Sequence, residues 1–273
     1  MLCKIINKIF SFSLIDEEKL DPIFENYVIR DVVPSYQINV NLINKIEILD
    51  QNLLYKTDYF DLYKDENKLI QYQKNNDEYF GKIIYQDNLA NIYITKDDIF
   101  SKQYLLTQYV FSHFVTRDLN AIFMHGSSIN YKGIGLLFSA KSGVGKSTHA
   151  KLWTDFFEAT PVNDDKNVIV LENDKLYIYG NPFSGKHFRN SNQKVELKYV
   201  IYLYQNKTNI IKKIDEYQSF ILMMNQIKRP TEDINDKEKW NIITNKILSL
   251  PTYMLGCNTE KDAVETVLKI LED

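Results

Sequence analysis

Two cysteines in 273 residues, Cys3 and Cys257, are far apart and form no metal-ligand spacing. Usage this sparse suits a reducing cytoplasm. Cys257 reads as a small core residue and Cys3 as a thiol at a frayed end. Long apolar runs are also missing: no stretch approaches the ~18 residues needed to cross a bilayer. The amphipathic opening is broken by Lys4 and Lys8 before a signal-peptide core forms. A cytoplasmic protein without a membrane partner is expected. Nor is there an excess of positive charge. Lys and Arg number 33 against 36 Asp and Glu, a net charge of −3, and no dense Lys/Arg run occurs. Nothing therefore draws the molecule as a whole to nucleic acid. Internal repeats and low-complexity linkers are absent. What remains, 44% hydrophobic and 25% charged, is the balance of a folded globular chain, long enough for one large domain or two ordinary ones.

Residues from about 24 to 97 read as β-rich. Tyr36, Ile38, Val40 and Leu42 alternate with polar residues, as on a strand with one buried face. Similar runs recur at Lys68–Tyr72, Tyr79–Tyr85 and Ala90–Thr95, the last two pairing as a hairpin. This half carries no titratable constellation and is expected to shape a substrate or an oligomer. Between Lys102 and Arg117 the apolar residues Leu105, Leu106, Tyr109, Val110 and Phe114 take helical spacing. Strand-like and helix-like segments then alternate, with strands at Ala121–His125, Gly133–Ser139, Asn167–Leu171, Leu176–Tyr179 and Tyr199–Tyr204. Helices are read at Lys146–Phe157, then one with Trp240, Ile243, Ile247 and Leu250 on one face, a capping box of Asn235 and Glu238 and a stop at Pro251, and another from about Glu260. The expectation is a smaller β-rich domain over 1–110 and an α/β domain over 111–273.

The sharpest signal lies in that second domain. An apolar strand runs into Ser142-Gly143-Val144-Gly145-Lys146-Ser147-Thr148 and on into an amphipathic helix, the context of a phosphate-binding loop. Glycines at 143 and 145 let the backbone curl and aim its N–H groups at phosphate oxygens. The helix start adds the positive end of its dipole. Lys146 would reach the β- and γ-phosphates, and the Ser147 hydroxyl would take one Mg²⁺ position. Ala140 stands where such loops usually open with glycine.

Two carboxylates follow, Asp164 and Asp165, 18 and 19 residues after Lys146. At a strand end near the same phosphates, one would hold Mg²⁺ while the other takes the proton of an incoming hydroxyl. From the residues alone the two could exchange roles. His125, at the end of an earlier strand, would contact the γ-phosphate or serve as a structural residue. Further on, Gly180 and Gly185 frame a turn with Lys186, His187 and Arg189, cations suited to a transferring phosphoryl group.

Together, Met124-His125-Gly126, the loop at 142–147 and Asn163-Asp164-Asp165 resemble the histidine, P-loop and Asp-Asp of HPr kinase/phosphorylase, a family grouped with the phosphoenolpyruvate carboxykinases. The resemblance covers roughly residues 120–205. It implies a carboxykinase-type P-loop kinase domain using ATP and Mg²⁺. His125 would lie beside the transferred phosphate, with Lys146 binding phosphate, Ser147 and Asp164 at the metal, and Asp165 as general base. Asn163 replaces the alanine that usually precedes the Asp pair. The segment Gly180-Asn181-Pro182-Phe183-Ser184-Gly185-Lys186 is similar to one in a divergent HPr kinase-like branch. The acceptor would be a hydroxyl, on serine of a protein or peptide or on a small metabolite. HPr kinases are typically oligomers, so a homo-oligomer is one expected state. Two other readings stay open at this point: a nucleotide-binding sensor or assembly protein without an acceptor, and carboxykinase-like chemistry on a small carboxylic acid.

Overall fold

The computed structural model describes residues 1–15, 20–48, 52–76, 78–228 and 235–271; the side chains of Asp21, Lys186, Lys228, Asn235 and Asp236 also fall outside that description. The chain divides into two compact units, Met1–Val115 and Thr116–Asp273. Both combine helices with a β-sheet of their own, so the class is mixed α/β.

The first unit opens with two strands where a frayed end was expected, β1 (Leu2–Ile5) and β2 (Lys8–Ser13). A short helix α1 (Asp21–Phe24) precedes β3 (Tyr36–Leu42), β4 (Asn52–Lys56), β5 (Phe60–Asp65), β6 (Lys68–Asn75), β7 (Glu78–Gln86) and β8 (Leu89–Ile94). They form one eight-stranded sheet in the order β1-β2-β3-β8-β7-β6-β5-β4. The alternation holds over 36–40, where Tyr36, Ile38 and Val40 face inward with Phe10, Phe12, Ile92 and Ile94, but Leu42, expected on the same buried face, is exposed at the strand end. Helix α2 (Ile99–Asp118) supplies the other half of this core. Phe111 packs on Phe10 at 5.2 Å and Phe114 stacks on Tyr36 at 4.9 Å between ring centroids.

Two expectations for this half need correcting. Cys3 is a fully buried β1 residue, its thiol pushed up to about 12 by burial. Its hydrophobic packing in a paired strand prevails over its place near the chain start. The half also holds a titratable cluster. Asp61 of β5 is ion-paired to Lys74 of β6 at 2.9 Å and accepts a short hydrogen bond from the Tyr79 hydroxyl of β7. Three separate strands bring these groups together, so linear spacing gives no sign of them.

The second unit contains β9 (Ala121–His125), β10 (Ser127–Tyr131), β11 (Ile134–Ser139), α3 (Lys146–Phe156), β12 (Thr160–Asn163), β13 (Lys166–Glu172), β14 (Lys175–Tyr179) and β15 (Lys194–Gln205). After these come β16 (Ile210–Lys213), α4 (Glu216–Met224), β17 (Ile227–Lys228), α5 (Asn235–Leu248), β18 (Thr252–Cys257) and α6 (Asp262–Leu268). The sheet runs β12-β10-β11-β15-β14-β13-β9-β17, with β18 pairing both β15 and β16. Strand β15 lies parallel to β11 along one edge. Along its other edge it is antiparallel to β14 at its start and parallel to β18 over Val200–Gln205.

Among the described residues of this unit lie two apolar clusters. One gathers Ile122, Met124, Ile169, Ile178, Val200, Tyr202 and Ile243, with Trp240 packed against it. The other gathers Phe138, Trp153, Ile201, Leu203, Leu255, Val264 and Val267 under α3 and α6. Cys257, expected in the core, is only partly buried at the rim of the second cluster.

Candidate functional site

The loop between β11 and α3 is built as the sequence requires. Its strand is buried through Ser139, and Ala140, where glycine is usual, packs into the apolar cluster beneath α3. Gly143 and Gly145 take φ of +81° and +117°, left-handed conformations that L side chains rarely adopt. A Cβ at either would meet nothing within 4 Å, so the space over the loop is open. Ser142, Gly143 and Thr148 are exposed, whereas Val144 and Ser147 are half-buried. No side chain caps the start of α3. Its first-turn N–H groups therefore keep the partial positive charge that favours an anion. The Lys146 side chain is covered and curls back. Its Nζ donates to the carbonyl oxygens of Ala140 at 3.0 Å and Lys141 at 3.2 Å.

Asp164 and Asp165 occupy the turn from β12 to β13. Strand pairing determines what surrounds them. Ser128 of β10 lies opposite Asn163, which brings the adjacent Ser127 Oγ to 2.7 Å from Asp164 Oδ1. His125 of β9 lies opposite Lys166, which brings its Nδ1 to 2.7 Å from Asp165 Oδ1. Lys166 Nζ is 3.8 Å from the other Asp165 oxygen. Burial alone would raise the Asp165 carboxyl. The contact with His125 and the charges of Lys166 and Lys146 outweigh that and hold it below the usual carboxylate range. Lys146 shows the complementary balance: desolvation lowers its ammonium, opposed by the negative charges of Asp165 and Asp164. Lys146 and both aspartates therefore share one electrostatic neighbourhood.

The loop after β14 closes over the same place. Gly185, at φ +73°, lies so near Asp165 that a Cβ there would sit 3.0 Å from the aspartate Cβ. Arg189 donates from Nη1 to the Ser147 carbonyl at 3.3 Å, which ties this loop to the start of α3. His187 is exposed. The side chain of Lys186 lies outside the described residues. The fold thus gathers His125, Lys146, Ser147, Asp164, Asp165 and Arg189 around one region. Sequence reasoning missed three groups that shape it: Ser127, Asn163 and Asn181. Asn163 and Asn181 gave a local sign, each an Asn two residues before a backbone N–H it accepts from.

ATP and Mg²⁺ can be weighed against these residues. An uncapped helix start, two left-handed glycines with open space above them and a covered lysine suit a polyphosphate. For Mg²⁺, Asp164 spends Oδ1 on Ser127, while among the described residues nothing donates to its Oδ2. Among the described residues no three His, Cys, Asp or Glu side chains cluster as a metal cage. Ser147 with Asp164 fits a cation that keeps much of its own water, as Mg²⁺ does.

No family model matches the chain, and no curated protein matches it. Among solved structures, an Hpr(Ser) kinase/phosphatase from Coxiella burnetii is similar over 55% of this chain and 99% of that one, at 13% identity and a TM-score of 0.34. Overlap that loose is too weak to assign a family or an activity. Among the described residues no helix is long and apolar enough to cross a membrane.

Proposed function

We propose that this chain is an ATP- and Mg²⁺-dependent kinase of the HPr kinase-like kind, moving the γ-phosphoryl group to a hydroxyl on a protein, a peptide or a small molecule. One observation carries the reading: Lys146, at the mouth of a glycine-rich strand–loop–helix, feels the charge of both Asp164 and Asp165, and Asp165 is held ionised against His125. A nucleotide-binding module has no need of the second half of that arrangement.

In this reading the α3 start and Lys146 bind the phosphates, and Lys146 exchanges the Ala140 and Lys141 carbonyls for phosphate oxygens. Asp165 receives the acceptor's proton. A carboxylate held low is a weak base, but it is always in the accepting form. Phosphoryl transfer depends more on placement and charge than on base strength. His125 orients that carboxylate, and Arg189 with the loop at 180–190 adds positive charge near the transferring group. Ser147 and Asp164 would hold Mg²⁺, which when bound supplies charge to neutralise the phosphate oxygens.

The test is transfer from γ-labelled ATP with Mg²⁺ to HPr, serine peptides and hydroxyl metabolites. Asp165→Asn should lower transfer by roughly 10²–10⁴-fold, the span typical of a positioned acid or base, with nucleotide affinity within about threefold. Lys146→Ala should weaken nucleotide binding by roughly tenfold or more. Binding without any labelled acceptor, indifferent to Asp165→Asn, would make the protein a nucleotide sensor instead.

A further inference from the structure

Asn163 and Asn181 are both fully buried and polar, and both stand beside the candidate site without entering it. Asn163 Oδ1 accepts the backbone N–H of Asp165 at 3.0 Å and of Lys166 at 2.8 Å. Its Nδ2 reaches the other way, donating to the carbonyl of Asn181 at 3.0 Å and of Phe183 at 3.5 Å. Asn181 answers in kind. Its Nδ2 donates to the Lys166 carbonyl at 2.8 Å, and its Oδ1 accepts the Phe183 N–H at 3.0 Å. A backbone bridge between Asn163 and Asn190 and a 2.7 Å bond from Asn190 Nδ2 to Ser184 Oγ extend the join.

From this reciprocal pattern we infer that Asn163 and Asn181 are positioning residues that lock the Asp164–Asp165 turn and the 181–190 loop into one block. The chemistry favours a permanent lock. Each amide uses its donor and acceptor ends on opposite segments. Both lie where water cannot replace them, so breaking one side strands backbone groups on the other. The carboxylate at 165 and the cation at 189 then keep a fixed separation, which in-line transfer requires. Aspartate at 163 would keep the acceptor for the turn and lose the donor for the loop. Alanine would lose both, which is why an amide is needed at this position.

The lock itself is independent of the proposed kinase reading; its effect on rate rests on it. The 273-residue chain and its variants Asn163→Ala, Asn163→Asp and Asn181→Ala would be compared by amide hydrogen exchange, MgATP binding and the rate of labelled-phosphate transfer. Asn163→Asp should speed exchange across 183–190 while the amides of Asp165 and Lys166 stay protected. Asn181→Ala, altered in the loop, should speed exchange at 163–167. Both should lower kcat by roughly 10- to 100-fold, the cost of a misplacement near 1 Å, with MgATP affinity within about threefold. Asn163→Asp should recover part of the rate that Asn163→Ala loses.

Exchange confined to the mutated segment in both Asn163→Asp and Asn181→Ala overturns the lock. So does an unchanged kcat in a protein that transfers phosphate. Should Asn163→Ala not fold, the other two variants decide alone. Coupled exchange in a protein that transfers nothing leaves the lock standing and removes the kinase reading.

Discussion

His149 sits one turn into α3 and is 2% exposed, edge-on to Phe138 at 4.6 Å. Its Nε2 accepts from the Trp153 indole at 3.3 Å, which assigns the ring proton to Nδ1, and that N–H finds no partner among the described residues. Burial drives this imidazole down from 6.5 to about 4. Between those values the unfolded chain takes up a proton that the folded chain refuses. Stability should therefore be flat above pH 6.5 and fall as the pH drops toward 4, by on the order of 3 kcal/mol from this group. Urea midpoints between pH 4 and 7 would show the slope, and His149→Gln should flatten it; equal slopes would refute the assignment. Asp165 acts in a lower window, since a depressed carboxyl loses its contribution only as the pH falls through its folded value. At this scale the sequence named groups that do lie near one another. Lys146, Asp164, Asp165 and His125 meet as residue type and order suggested. It could not show Ser127 at Asp164, or Asn181 at Lys166, because those partners are separated by 37 and 15 residues and meet only through strand pairing.

Elements were legible where burial has a clear period and obscure where it does not. The strand at Tyr36–Leu42 and the helix α2 announced themselves by alternation and by helical spacing. The β1–β2 hairpin did not, because its two-residue turn is Ile6-Asn7 at φ of +52° and +57°. Such turns favour Asn-Gly, and a β-branched residue in the left-handed region hides the signal. β10 was missed for another reason: Ser127 and Ser128 are both buried, so the strand shows no alternation. In the first sheet the strands β5, β6 and β7 converge on Asp61, which is covered by its neighbours yet lies close beneath the surface. Lys74→Met alone should cost about 3 kcal/mol by leaving that carboxylate with the Tyr79 hydroxyl but no cation beside it, the lower end for breaking a buried pair. Adding Asp61→Leu should return most of the loss. Thermal unfolding of the single and double variants checks this, and a double variant no better than the single would refute it.

For the whole molecule the division into two units at Val115 and Thr116 puts every candidate site residue in the second. Each of that unit's two apolar clusters has its own tryptophan, Trp153 within one and Trp240 against the other. Strand β15 sends Val200 and Tyr202 into the cluster near Trp240, and Ile201 and Leu203 into the one holding Trp153. It is a party wall: two of these residues furnish each room from opposite faces of one strand, and neither can be emptied while the other stays furnished. Trp153→Phe and Trp240→Phe variants leave one fluorophore apiece, and their denaturant transitions should coincide. Two separated midpoints would mean that the wall divides more than it joins. With a common midpoint, the glycine loop at the foot of α3 and the aspartate turn beyond β12 live and die together, and a lesion far from either could undo both by thinning that wall.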